Sequence, residues 1–131
     1  MHKFPRVILK PKRDAAVKRR HPWIFSGAVA RVEGEPEPGA LIAVHGAGST
    51  DPTFLAWGHY SPHSQIRVRL VSWNPQAQPD TVGFWRTRLQ RAIAARHPLL
   101  FKAGPTNVCR LVNAESDGIP GLIVDRYAQT L

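Results

Sequence analysis

Lys18, Arg19 and Arg20 stand beside His21, and Pro22 then leads straight into Trp23 and Phe25. Cations next to large rings have a definite chemistry: guanidinium and ammonium groups contact phosphates, while aromatic faces stack on unpaired bases. A second pair of cations, Arg67 and Arg69, alternates with Ile66, Val68 and Leu70, so both arginines point off one face of a strand. Such a pair is either a solvated strand face or a rail for phosphates. Beside the 18–20 cluster the rail is the favoured reading. Lys18, Arg19, Arg20, His21, Trp23, Arg67 and Arg69 are therefore the candidate contacts to a nucleic acid. The cations would meet phosphates, with His21 and Trp23 on a base or sugar. Trp23 is equally compatible with core and surface, and Phe25 reads as core.

Residues that could carry covalent or metal chemistry are present but poorly arranged for it. Cys109 sits in an apolar alternating run and reads as a buried strand residue. His59 and His63 have an i, i+4 spacing, yet Ser61-Pro62 breaks the helix that would align two imidazoles on one metal. "HGAGST" (45–50) has two glycines but no helix to follow, so it reads as a hairpin turn, not a dinucleotide loop. Glu115 and Asp117 flank a turn and read as solvated, which leaves no acid/base pair with Asp125. No catalytic, cofactor-binding or metal-ligating residue is assigned.

The charge supports the nucleic-acid reading. The chain of 131 residues has a formal net charge of +9, and its cations are segregated. Residues 1–20 hold eight Lys and Arg against Asp14 alone, and residues 67–110 hold eight against Asp80 alone. Acids gather in 31–51 and 115–126. Segregation suits a phosphate backbone, because each cationic contact releases condensed counterions; the plainer alternative is a generally basic, soluble surface. No apolar run approaches the roughly 18–20 residues that span a bilayer. The N-terminal run Val7-Ile8-Leu9 is too short for a signal peptide. One cysteine cannot form an internal disulfide, which agrees with a reducing, cytoplasmic setting.

The elements that must position these residues are mostly strands. Segments 6–10, 28–34, 40–46, 53–60 and 65–73 alternate or are rich in β-branched residues, at spacings that predict a small closed or partly closed barrel. Residues 13–21 predict a short helix capped by Asp14 and ended by Pro22. After the Pro- and Gln-rich stretch 74–83, apolar residues recur three and four apart through Val82, Trp85, Leu89, Ala92 and Ile93 to the stem of Arg96, predicting an amphipathic helix that Pro98 stops. Two strands, 107–114 and 121–127, follow. The fold class expected is mainly β with α: a small barrel over residues 1–75, then an incomplete α+β region over 80–131. The chain stops at Leu131 directly after a strand, as a fragment of a longer protein would.

Three stretches, "RRHPWIFSGAVARVEG" (19–34), "AWGHYSPHSQIRVRLVSW" (56–73) and "RLVNAESDGIPGLIVDRY" (110–127), occur in this order. Together they resemble the N-terminal part of the bacterial large-subunit ribosomal RNA cytosine-C5 methyltransferases. The resemblance implies that residues 1–75 are a PUA domain, an RNA-binding pseudobarrel, and that 80–131 begin the central domain. It implies ribosomal RNA as partner, no membrane, and S-adenosyl-L-methionine as cofactor of the full-length enzyme, held by a later domain that also carries the catalytic cysteine. On that reading Cys109 does not inherit the nucleophile's role, this segment binds no cofactor, and its task is to position RNA; a homodimer is left open. Two other readings stand beside it, a stand-alone PUA-type RNA-binding adaptor without catalysis and a basic DNA-binding module.

Overall fold

The computed structural model describes residues 3–48, 50–101 and 106–131; Ser49 of the 45–50 turn and Lys102 of the second basic segment lie outside the described residues. Two compact units follow one another, residues 1–80 and 81–131.

The first unit contains β1 (Arg6–Leu9), a single helical turn α1 (Ala15–Lys18), β2 (Trp23–Phe25), β3 (Val29–Glu33), β4 (Leu41–His45), β5 (Phe54–Tyr60) and β6 (Ile66–Ser72). The strands form one sheet in the order β2-β6-β5-β4-β1-β3. β1 and β4 are parallel and every other neighbouring pair is antiparallel. Alternation explains the ladder. Val7 and Leu9, Ile42 and Val44, Ala56 and Tyr60, Val68 and Leu70 point to one side and meet Val17 and Ile24 in one buried cluster, while the intervening Ile8 and Ala43 are buried as well. Each buried Val, Leu or Ile contributes about 1.5–3 kcal/mol by leaving water. Ile24 comes from one edge strand, and Val32 of the opposite edge packs against the same cluster. The sheet is therefore curled into a half-barrel, the mainly β architecture that the strand spacing predicts.

Local structure departs from expectation around α1. The helix is one turn, and Asp14 does not cap it: its backbone is itself helical (φ −91°, ψ −6°) and makes no side-chain cap bond. Asp14 instead pairs with Lys18 at 2.5 Å. Pro22 does not stop the helix either. The turn is closed earlier by Arg20 in the left-handed region (φ 67°), with Arg20 N–H bonded to Val17 O at 2.9 Å and His21 N–H to Ala16 O at 3.0 Å. This double bond pattern is a Schellman closure, with arginine where glycine is usual. Pro22 begins a new pairing instead, its carbonyl accepting the Leu70 N–H at 2.7 Å. Strand β2, absent from the sequence reading, follows directly. Phe25, expected in the core, is 49% exposed. With Ile24 pointing inward, period two turns Trp23 and Phe25 outward together.

β5 and β6 approach each other very closely at Gly58. A Cβ there would lie 2.5 Å from Cγ1 of Val68 and 2.8 Å from the Arg69 carbonyl oxygen.

The second unit packs α2 (Val82–Phe101) against a hairpin of β7 (Val108–Asn113) and β8 (Ile123–Tyr127). Trp85, Leu89 and Ala92 meet Leu111, Val112, Ile119 and Val124. The apolar stripe is narrower than the sequence suggests, because Val82 and Ile93 are exposed. Pro98 lies inside the helix, not after it; so near the end, its missing N–H removes only one late hydrogen bond. Cys109 is half-buried, not fully buried. Asp117 is not a solvated turn residue. Both its oxygens accept from Arg96, at 2.7 and 2.9 Å, and Oδ2 also accepts the Asn113 N–H at 2.6 Å. Asp125 pairs with Arg110 at 2.7 Å.

Gly58→Ala should lower the unfolding free energy of the barrel by about 1–3 kcal/mol through overpacking, measured by urea denaturation; an unchanged midpoint would show that β5 can shift freely. The hydrogen bonds from Arg96, and to a lesser degree the Asn113 N–H, hold Asp117 below the ordinary carboxylate value of 3.8. Its folded-state value is depressed, so its contribution is present above about pH 3.8 and is lost as pH falls through the lower folded value. Asp117→Asn should therefore destabilise the second unit by on the order of 1–2 kcal/mol near neutral pH, and the difference from wild type should shrink in acid denaturation below that window.

Candidate nucleic-acid interface

The interface is assembled by one backbone pairing. β2 runs antiparallel to β6, with Trp23 opposite Arg69 and Ile24 opposite Val68. Two segments more than forty residues apart in sequence thus become neighbours on the outward face of the sheet. The Arg69 guanidinium lies 5.8 Å from the centroid of the Trp23 ring. Arg67, two residues earlier on the same strand face, donates Nε–H to the Ser64 carbonyl at 3.3 Å. His21 sits against the other side of this group: its Nδ1 is 3.2 Å from the Trp23 N–H, and its ring is 6.0 Å from the indole in an edge-on contact.

Arg20 is fixed by a different ring. Its guanidinium lies 5.2 Å from the centroid of Trp73, while the Trp73 indole N–H donates to the Val17 carbonyl at 2.8 Å. One tryptophan therefore ties the C-terminal end of α1 to the end of β6 and presents an arginine beside it. Arg19, exposed, lines an open groove of about 300 Å³ with Lys12, Arg13, Trp23, Phe25 and Gly27. Lys12, Arg13 and Phe25 escaped the sequence reading as site residues. The first two were visible only as part of a basic run, and Phe25 was assigned to the core.

Charge bookkeeping changes once partners are known. Lys18 is engaged by Asp14, Arg6 by Glu33 and Lys3 by Asp80. Among the described residues, Lys10, Lys12, Arg13 and Arg19 have no ion pair and remain open to an external anion. In the second unit, Arg96 and Arg110 are taken up by Asp117 and Asp125, and Arg88 bonds the Gly118 carbonyl. The basic segment 67–110 is thus less available than its composition suggests. His59, cross-strand from Arg69, is held below the ordinary imidazole value by burial. It adds no charge to this face at neutral pH.

What the arrangement can do follows from these contacts. Guanidinium groups set against indoles are held in place, and a planar guanidinium so held matches the geometry of phosphate oxygens. Trp23 and Phe25, 6.5 Å apart and edge-on, offer ring surface between them for a base.

Residues 7–73 match a family model described as a PUA-like domain. The chain is 39% identical over 125 residues to the ribosomal RNA large subunit methyltransferase I of Pseudoalteromonas translucida, covering 95% of this chain and 30% of that protein. It is 41% identical over 127 residues to the protein of that name from Shewanella denitrificans, covering 96% and 31%. The chain thus spans under a third of the length of these curated relatives. Among solved structures, a chain from Streptococcus mutans assigned as a SAM-dependent methyltransferase superposes with a TM-score of 0.70 at 16% identity, covering 92% of this chain and 30% of that one. A second assigned methyltransferase, complexed with SAH, gives 0.71 at 16% identity over 92% of this chain and 29% of its own. At that identity these two speak for the fold alone.

Arg20→Gly removes the left-handed penalty of about 1 kcal/mol and with it a cation–indole contact of about 0.5–1 kcal/mol. Thermal unfolding should therefore place this variant within about 1 kcal/mol of wild type; a much larger loss would make Arg20 a structural brace.

Proposed function

The chain belongs to the family of PUA-like domains, and from that membership we propose that residues 1–75 are the RNA-binding portion of a large-subunit ribosomal RNA methyltransferase, with residues 80–131 the first piece of its central domain. The partner is ribosomal RNA and the work of this portion is positioning. It grips the phosphates flanking a structured region so that a catalytic domain reaches one base. Lys18, Arg19, Arg20, Arg67 and Arg69 make phosphate contacts, Lys18 by leaving Asp14, and His21 and Trp23 meet a base or sugar. The observation that carries this reading is the convergence of Arg69 on Trp23 with Arg20 on Trp73 beside the unpaired Arg19.

The relatives' names support a methyl-transfer reaction for the whole enzyme; S-adenosyl-L-methionine as methyl donor and cytosine C5 as acceptor are taken from the resemblance of the sequence motifs. Such a reaction needs a thiolate to attack C6 of the base. Cys109 is not that thiolate in this proposal: it lies within β7, half-buried, with its Sγ 3.4 Å from the Arg110 carbonyl oxygen. The chemistry belongs to another domain, in a cytoplasmic protein.

Binding to a folded large-subunit ribosomal RNA fragment, followed by fluorescence anisotropy across a salt series, tests the proposal. Arg19→Glu with Arg67→Glu should weaken binding to all RNAs alike and reduce the log–log salt slope by about one unit for each phosphate no longer engaged. Unchanged affinity at moderate salt, or tighter binding of duplex DNA than of the RNA, would overturn it.

A further inference from the structure

A second cavity, sharing no lining residue with the cationic groove, opens over β1, β4 and β5. It measures about 320 Å³ and is lined by Lys3, Phe4, Arg6, Ala43, His45, Phe54 and Trp57. Register explains why these residues meet. Trp57 is opposite Ala43, and Ala43 is opposite Arg6, so one row crosses β5, β4 and β1. Trp57 lies two residues from His59, which belongs to the row containing Arg69 and Trp23. The cavity therefore continues the proposed RNA face instead of forming a separate surface.

Its walls are rings. Phe4 and Trp57 are edge-on at 5.3 Å, Phe54 and Trp57 are tilted at 5.3 Å, and His45 and Phe54 are edge-on at 5.8 Å. Within this box the Trp57 indole N–H is buried, and no acceptor reaches it among the described residues. A buried donor left without a partner carries a desolvation cost that a ligand acceptor would relieve. The charged lining narrows the ligand further. Among the described residues, Lys3 and Arg6 are the only Lys, Arg, Asp or Glu side chains that line the cavity, which disfavours the quaternary ammonium ions that aromatic boxes commonly hold. Arg6 is engaged by Glu33, but the Lys3 side chain is 78% exposed. Its pair with Asp80 is of the solvent-exposed kind that contributes little, so the ammonium is available to swing to an anion.

A planar ring system, a hydrogen-bond acceptor on its edge and an attached anion together describe a nucleotide. We infer that this cavity receives one unpaired nucleotide, its base against Phe4, Phe54 and Trp57, its edge accepting from Trp57 Nε1 and its phosphate on Lys3. The inference rests on the RNA-binding reading only in taking that nucleotide from a single-stranded stretch of the bound RNA. The volume lies at the lower end of the range for small-molecule sites, room for one nucleotide and no more.

The test uses the 131-residue protein labelled with nitrogen-15. Its four tryptophan indole N–H signals are assigned with Trp57→Phe. Titration with adenosine or cytidine monophosphate should move the Trp57 signal, and ribose 5-phosphate should not. Trp57→Phe, which keeps a ring but removes the donor, should weaken binding of a single-stranded octaribonucleotide about five- to tenfold. Phe4→Ala, outside the sheet, should weaken it by at least about fivefold. A signal unmoved by nucleotides, an equal response to ribose 5-phosphate, or unaltered octamer affinity in both variants would overturn the inference. The two readings fail separately. Absence of the Arg19 and Arg67 effect with the Trp57 response intact removes the proposed phosphate contacts alone, and the converse removes the cavity alone.

Discussion

The pairing of β2 along β6 is the constraint on which the rest of the first unit depends. β2 is three residues long and lies at the edge of the sheet, so its own ladder is short. It is reinforced on both flanks, by Leu70 N–H to the Pro22 carbonyl at 2.7 Å and by Ser26 N–H to the Gln65 carbonyl at 2.8 Å. It is anchored by Ile24, which is buried against Val68 and Leu70 in the main cluster. This one inward side chain sets the register, and period two then turns Trp23 outward opposite Arg69. A slip of one residue would bury Trp23 and expose Ile24, dissolving the surface as well as the core.

The same economy operates at the end of α1. A helix of one turn has almost no intrinsic stability, and it persists because Val17 enters the core and its carbonyl is held by Trp73. Arg20 closes the turn in a conformation that glycine would adopt at lower cost. Strain of this kind, kept where a cheaper residue exists, points to a side chain that is needed. Here that side chain is a guanidinium laid against the Trp73 indole, next in the chain to Arg19. In the second unit cations do the opposite work. Arg96 is consumed in bridging α2 to the turn that joins β7 and β8, through Asp117, and Arg110 in bridging the two strands through Asp125. Basic residues of similar density in sequence thus divide into a set without ion-pair partners, Lys10, Lys12, Arg13 and Arg19 among the described residues, and a set held by carboxylates, Arg96 and Arg110 among them.

The aromatic residues divide in the same manner. Trp73 and Trp85 serve packing, Trp73 also as donor and platform. Trp23 faces outward among cations, and Trp57 joins Phe4 and Phe54 around a cavity. Both outward groups lie on adjoining rows of the sheet, Trp23 opposite Arg69 and His59 opposite Arg69 in one, Trp57 opposite Ala43 in the next.

Much of this was legible in the amino-acid order. Strand periodicity, the helix from Val82, the basic, tryptophan-containing character of 18–25 and the paired arginines of 67–69 are local properties, set by which side chains sit next to or a few residues from one another. The family resemblance rests on contiguous motifs for the same reason. Tertiary structure alone decided which charges stay open, because partnership depends on distance in space: Lys18 met Asp14, Arg96 met Asp117, and Arg19 met neither. It alone decided that Phe25 is outward, since the phase of a three-residue strand is set by Ile24 finding the core. And it alone brought Phe4, Phe54 and Trp57 together, three residues on separate segments whose meeting is a consequence of sheet register and leaves no periodic trace in the chain.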